Sequence, residues 1–156
     1  MGIRRQSRET ALLMLYLCDI CKYTDDDALH YLLHIADLPQ TGHAFARELF
    51  TGTRAHAREL DTLITGHAEN WDLDRMAAVD RNLIRMAAYE LTAMPETPVN
   101  VIIDEAVEIA KHFSTADSSK FVNGILDKLK SERRQASPAD APDRKPAVRR
   151  KKKSER

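Results

Sequence analysis

The chain has 156 residues, enough for one domain with a real core, and its 43% hydrophobic and 31% charged content fits a globular protein. Five Gly and nine aromatics (four Phe, four Tyr, one Trp) argue against a β-rich fold. The formal charge is zero but unevenly spread: Ser131 to Arg156 carries ten Lys/Arg and four Asp/Glu, a net of +6, which leaves the first 130 residues at −6, so nucleic-acid contact by the folded part must use a local patch rather than bulk charge.

Nearly everything before residue 131 has helical period. The first helix is expected over about Arg5 to Lys22, apolar almost all round from Ala11 to Leu17 and therefore central in the core. Thr24 with Asp27 reads as a capping box, starting a second helix over about Asp26 to Ala36 that Leu38-Pro39 ends. A long third helix is predicted from Thr41 to His67, with Phe45, Leu49, Leu60, Leu63 and Ile64 as its buried stripe and Gly52 admitting a neighbour. A short connection with Trp71 leads to a helix from Met76 to Ala93, buried through Val79, Leu83, Ile84, Ala87 and Leu91 and stopped by Pro95. Thr97-Pro98 is a favourable helix start, followed by Val99, Ile103, Ala106, Ala110 and Phe113 on one face. Ser114 or Thr115 caps the last helix, with Asp117 in its first turn near the positive end of the dipole. Val122, Ile125, Leu126 and Leu129 bury it, and Gly124, costing about 1 kcal/mol relative to Ala, is read as a site of close helix packing. The result is an all-α helical bundle over residues 1–130. Residues 131–156, with Pro138, Pro142 and Pro146 among basic residues, form a disordered basic tail.

Enzymatic motifs are missing. No Gly-rich nucleotide loop or serine elbow occurs, and Asp104 with Glu105 reads as a solvated helix face, so no catalytic residues are assigned. Cys18-x2-Cys21 followed by His30-x3-His34 has the residue types of a zinc site. The intervening eight residues are shorter than the usual loop, so the reading is no metal and no cofactor, with two thiols and surface histidines. The apolar run Ala11 to Cys18 is too short to span a bilayer, and the expectation is a cytoplasmic protein without a signal peptide or a membrane contact. Arg4, Arg5 and Arg8 gather at the first helical turn, where cations oppose the dipole and call for an anionic partner. The Arg149–Lys153 run could hold any polyanion.

Four stretches together resemble the NusB family of bacterial transcription antitermination factors. They are Arg4-Arg-Gln-Ser-Arg-Glu-Thr-Ala11 leading to Leu15-Tyr16; Val79-Asp-Arg with Ile84-Arg-Met-Ala-Ala-Tyr-Glu-Leu91; Pro98-x4-Ile103-Asp-Glu-Ala-Val-Glu-Ile-Ala-Lys111; and Asp117-Ser-Ser-Lys-Phe-Val-Asn-Gly-Ile-Leu-Asp-Lys-Leu129. They cover about residues 3 to 130. The resemblance implies six to seven helices in two three-helix subdomains, and no catalysis. It also implies binding of the boxA element of ribosomal RNA leaders together with a small-subunit ribosomal protein (NusE), and loading onto RNA polymerase in an antitermination complex. By matched position it places RNA contacts at Arg4, Arg5, Arg8, Asp117, Ser118, Lys120 and Phe121, with Gln6 where relatives often carry an arginine. It places the ribosomal-protein side at Tyr16, Asp74 and Asp80, where acids suit a basic partner. Two alternatives stand beside it: the helical front domain of a ribosomal RNA methyltransferase, and a structural homo-oligomer, a homodimer when free, that masks its own RNA face.

Overall fold

The computed structural model of the chain describes residues 2–68 and 71–144, with side chains as far as Arg133. All regular structure among them is helical: α1 Ile3–Ile20, α2 Asp25–His34, α3 His43–Ala55, α4 Ala57–His67, α5 Ala78–Ala93, α6 Val99–Phe113 and α7 Ala116–Arg144, with 3-10 turns at Gln40–Gly42 and Leu73–Arg75. Helices α1 to α3 pack together, α5 to α7 pack together, and α1 lies against α5 to join the two groups. α4 leans on α5 and α7. The shared core runs through Met14, Leu49, Phe50, Leu83, Ile84, Leu91, Ile102, Ile109 and Leu126, all fully buried.

Local chemistry sets the boundaries. The Thr24 hydroxyl accepts from the Asp27 amide and the Asp27 carboxylate accepts from the Thr24 amide, both at 3.0 Å, a complete capping box. Thr115 caps α7, its hydroxyl oxygen accepting from the Ser118 amide at 3.0 Å. Thr97 makes no side-chain cap for α6, where Pro98 holds the cap position with extended backbone.

Four expectations change. The long third helix is two, broken at His56, where the backbone turns to φ −108° and ψ 22° and the ring Nδ1 sits 2.9 Å from the Gly52 carbonyl oxygen. Gly52 does admit a neighbour: a Cβ there would stand 2.0 Å from Tyr89 Cζ of α5. Gly124 does not serve close packing. It is exposed, and its Cβ direction meets nothing within 4 Å. Phe113, assigned to the core face of α6, is 53% exposed as the final residue of that helix.

The fourth change is the end of the folded part. α7 continues past Lys130 to Arg144. Arg133 is buried and its guanidinium donates to the carbonyl oxygens of Glu90, Leu91, Met94, Pro95 and Thr97. These carbonyls end α5 and begin the turn into α6; those of Glu90 and Met94 also accept from the Met94 and Thr97 amides, at 3.1 and 3.2 Å, whereas that of Leu91 faces Pro95, which has no amide to donate. A charged side chain thus does the capping, and residues 131–133 belong to the fold. The basic run 149–153 lies outside the described residues.

Candidate nucleic-acid and partner interface

The α1 start carries three arginines with three different situations. Arg4 is exposed, its guanidinium 4.0 Å from the centre of the Phe45 ring, a cation–π contact that orients it. Arg5 donates from Nε and Nη2 to the two carboxylate oxygens of Glu105 on α6, at 2.9 and 2.6 Å, and about a quarter of its side chain stays exposed. That hydrogen bonding by Arg5 holds the Glu105 carboxyl below its ordinary pKa, with burial opposing. Arg8 is different: it is 4% exposed, binds Glu90 of α5 through Nε and Nη2 at 3.0 and 2.6 Å, and has Nη1 3.7 Å from Glu105. A guanidinium enclosed in this way cannot reach an external phosphate. Its assignment as an RNA contact is therefore replaced by a structural one. One helical turn separates a cation that faces out from one that faces in, and the Arg-rich motif does not carry that distinction by itself.

The α7 start divides likewise. Asp117 and Lys120 are exposed, and Phe121 is half-buried on the rim of the core. Ser118 is tied into the α6–α7 corner. Its hydroxyl lies 2.8 Å from Ser114 Oγ and donates to Asp80 Oδ2 at 2.9 Å. Ser118 and Asp80, read as members of two separate surfaces, are hydrogen-bonded to each other. Asp80 is 6% exposed, with Oδ1 buried and without a hydrogen bond, so it acts first as a brace between α5 and α7 rather than as an exposed acid. Asp74 is exposed in the 3-10 turn Leu73–Arg75.

α6 sets the spacing of the two halves. Glu105, which holds Arg5, lies eight residues before Phe113, which implies about 12 Å along the helix axis before the chain turns into α7. Beside this span lies an apolar groove of about 460 Å³ lined by Glu9, Leu13, Tyr16, Asp37, Val79 and Phe113 among others. Leu13 and Phe113 are 39% and 53% exposed, and Glu9 and Asp37 put two carboxylates on its wall. Tyr16 thus lies in a groove, while Asp74 and Asp80 are not among its lining residues. Sequence reading missed Leu13, Asp37 and Phe113 as surface features. The one signal available was the all-round apolar character of α1, which leaves some side chains outside whichever core forms.

Cys18 is buried and Cys21 exposed, and His30 and His34 pack against each other with ring centres 4.5 Å apart. Among the described residues no three His, Cys, Asp or Glu side chains converge as a metal site would require. No described helix is long and apolar enough to cross a membrane.

Comparison with known proteins agrees with this architecture. The model of the NusB family matches residues 5–131. The transcription antitermination protein NusB of Elusimicrobium minutum is 47% identical over 136 residues, covering 86% of this chain and 97% of that protein. That of Geobacter sulfurreducens is 46% identical over 135 residues, covering 84% and 96%. Among solved structures, T. maritima NusB superposes with a TM-score of 0.74 at 37% identity, covering 83% of this chain and 91% of that one. A structure of antitermination factors NusB and NusE in complex with dsRNA gives 0.73 at 25% identity, covering 84% and 98%.

Proposed function

The chain belongs to the NusB family of transcription antitermination proteins, and we propose that it acts there by holding RNA on the edge from Arg4 and Arg5 to Asp117, Lys120 and Phe121. It is not an enzyme. Arg4 and Arg5 supply phosphate contacts, Lys120 a second cation, and Phe121 a ring against a base. The observation that carries this reading is that Arg5 is held by Glu105 of α6, the helix whose last turn leads into the α7 start with Asp117 and Lys120. A relative solved with NusE and RNA supports it.

The RNA is the boxA element of ribosomal RNA leaders, and the second partner is NusE, the small-subunit ribosomal protein. The apolar groove with Tyr16, Glu9 and Asp37 is its seat, with Asp74 on an adjacent turn, because a basic protein with apolar anchors fits a groove walled by carboxylates. The assembly joins RNA polymerase in the cytoplasm and promotes transcription of ribosomal RNA operons. In a fluorescence anisotropy titration, boxA RNA binds more tightly when NusE is present. Equal binding of scrambled RNA, with no gain from NusE, would sink the reading.

A further inference from the structure

Resting on that RNA reading, we infer that Trp71 is a base-stacking residue that, with Phe121, forms a shelf for one unpaired RNA base on the outer flank of α7. Trp71 is 56% exposed, an unusual place for the largest apolar side chain of a chain with a well-filled core. Its ring centre lies 4.7 Å from that of Phe121, with the planes at 63°. An edge-on pair covers at most one of its four ring faces. Because core packing already holds Phe121, the pair is a rigid platform rather than two loose side chains.

The surroundings favour a nucleotide over an apolar peptide. Asp117, Gly124 and Lys128 lie four residues before, three after and seven after Phe121, so all three share its flank of α7. Gly124 is exposed with nothing within 4 Å of where its Cβ would be, so the space beside the ring is open and the helix keeps a costly residue that internal packing does not use. Lys120 and Lys128 are exposed, and among the described residues neither forms an ion pair. Lys128 stands on the ring's own flank two turns on, and Lys120 borders it on the neighbouring face of the helix, so a cation is available to the phosphate of a base stacked there. The Asp117 carboxylate, one turn before Phe121, can accept from an amino group on the edge of that base.

The chain has one tryptophan, so its emission reports on residue 71 alone. Fluorescein-labelled single-stranded boxA RNA is titrated into the full chain, reading RNA anisotropy and tryptophan emission together. The expected result is quenching that follows the anisotropy curve. Trp71→Ala loses about 5- to 150-fold in affinity, the range for one stacked base, and Trp71→Phe keeps most of it. Normal binding with unchanged emission and an unaffected Trp71→Ala overturns the shelf and leaves the RNA reading standing. No anisotropy change in the parent protein, with or without NusE, fells that reading and the shelf with it. Emission that responds only to NusE assigns the platform to protein and also overturns the proposal. If Trp71→Ala fails to fold, the parent's quenching and the Phe variant decide.

Discussion

Arg8 and Glu90 face each other across the α1–α5 contact in a two-pronged ion pair, with 5% and 1% of their side chains exposed. Two helices, 82 residues apart in sequence, are locked at this point. Removing one member leaves the other charge buried, so Arg8→Ala is expected to lose about 3–5 kcal/mol of stability. Replacing both by apolar residues of similar volume (Arg8→Met with Glu90→Leu) recovers most of it. Chemical denaturation of the three variants tests this. A mild Arg8→Ala that folds normally but binds RNA poorly would return Arg8 to the binding surface.

Glu105 competes with RNA for Arg5. Its carboxylate already occupies both prongs of the Arg5 guanidinium, and a phosphate must displace it. Glu105→Gln therefore raises RNA affinity several-fold, whereas Arg5→Ala lowers affinity and reduces the slope of log affinity against log salt by about one. Titrations across a range of salt concentrations measure both. An unchanged slope in Arg5→Ala excludes the phosphate contact.

The two mid-helix glycines should respond in opposite directions. At Gly52 a Cβ would collide with the Tyr89 ring, which is held in the α3–α5 contact, so Gly52→Ala destabilises by about 1–3 kcal/mol as overpacking does. At Gly124 the space is open, and Ala gains helix propensity and restricts the unfolded chain, stabilising by about 0.5–1 kcal/mol. Thermal melts of the pair settle the contrast.

These glycines also mark how far the sequence could be read. Helical period located the helices because each buries one stripe, and the Thr24–Asp27 box and the Thr115 cap are written in adjacent residues. Period alone did not separate a glycine that admits a neighbour from one that faces solvent, since both interrupt an apolar pattern equally. The same limit explains Arg8 and Asp80. Whether a charge points out or in depends on a partner far away in sequence, Glu90 or Ser118. Arg133 was hidden for the same reason: it lies among tail-like residues, and the carbonyls it caps belong to another helix.

Acid should loosen the α1–α5 joint at its other end. Asp19 accepts from Arg81 Nε at 2.7 Å and from Asn82 Nδ2 at 2.9 Å. The Arg81 hydrogen bond holds its carboxyl below the ordinary range, with burial opposing and Asn82 assisting. A carboxyl depressed on folding adds stability that is fully present above its unfolded pKa and is lost as pH falls through the lower folded value. Asp19→Asn is therefore less stable at neutral pH and shows a smaller stability loss on acidification below the ordinary aspartate range. Helicity followed during acid titration of both proteins tests it. Parallel acid curves would mean that Asp19 gains nothing from its partners.

Arg133 supplies the last test, because it separates the end of the fold from the tail. Its guanidinium satisfies five carbonyl oxygens at the close of α5 and the turn into α6, three of them in buried contacts. A charged hydrogen bond contributes about 1.5–3 kcal/mol, and here several acceptors share one donor group. Arg133→Ala is expected to cost about 2–3 kcal/mol, since the Leu91 carbonyl loses its donor while those of Glu90 and Met94 keep the Met94 and Thr97 amides. Truncation after Lys130 costs at least as much, whereas truncation after Arg144 leaves the melting temperature unchanged, because the contacts that close α5 are then intact. If truncation after Lys130 melts like the full chain, the carbonyls are satisfied by water or by neighbouring amides, and the folded unit ends where the basic composition begins.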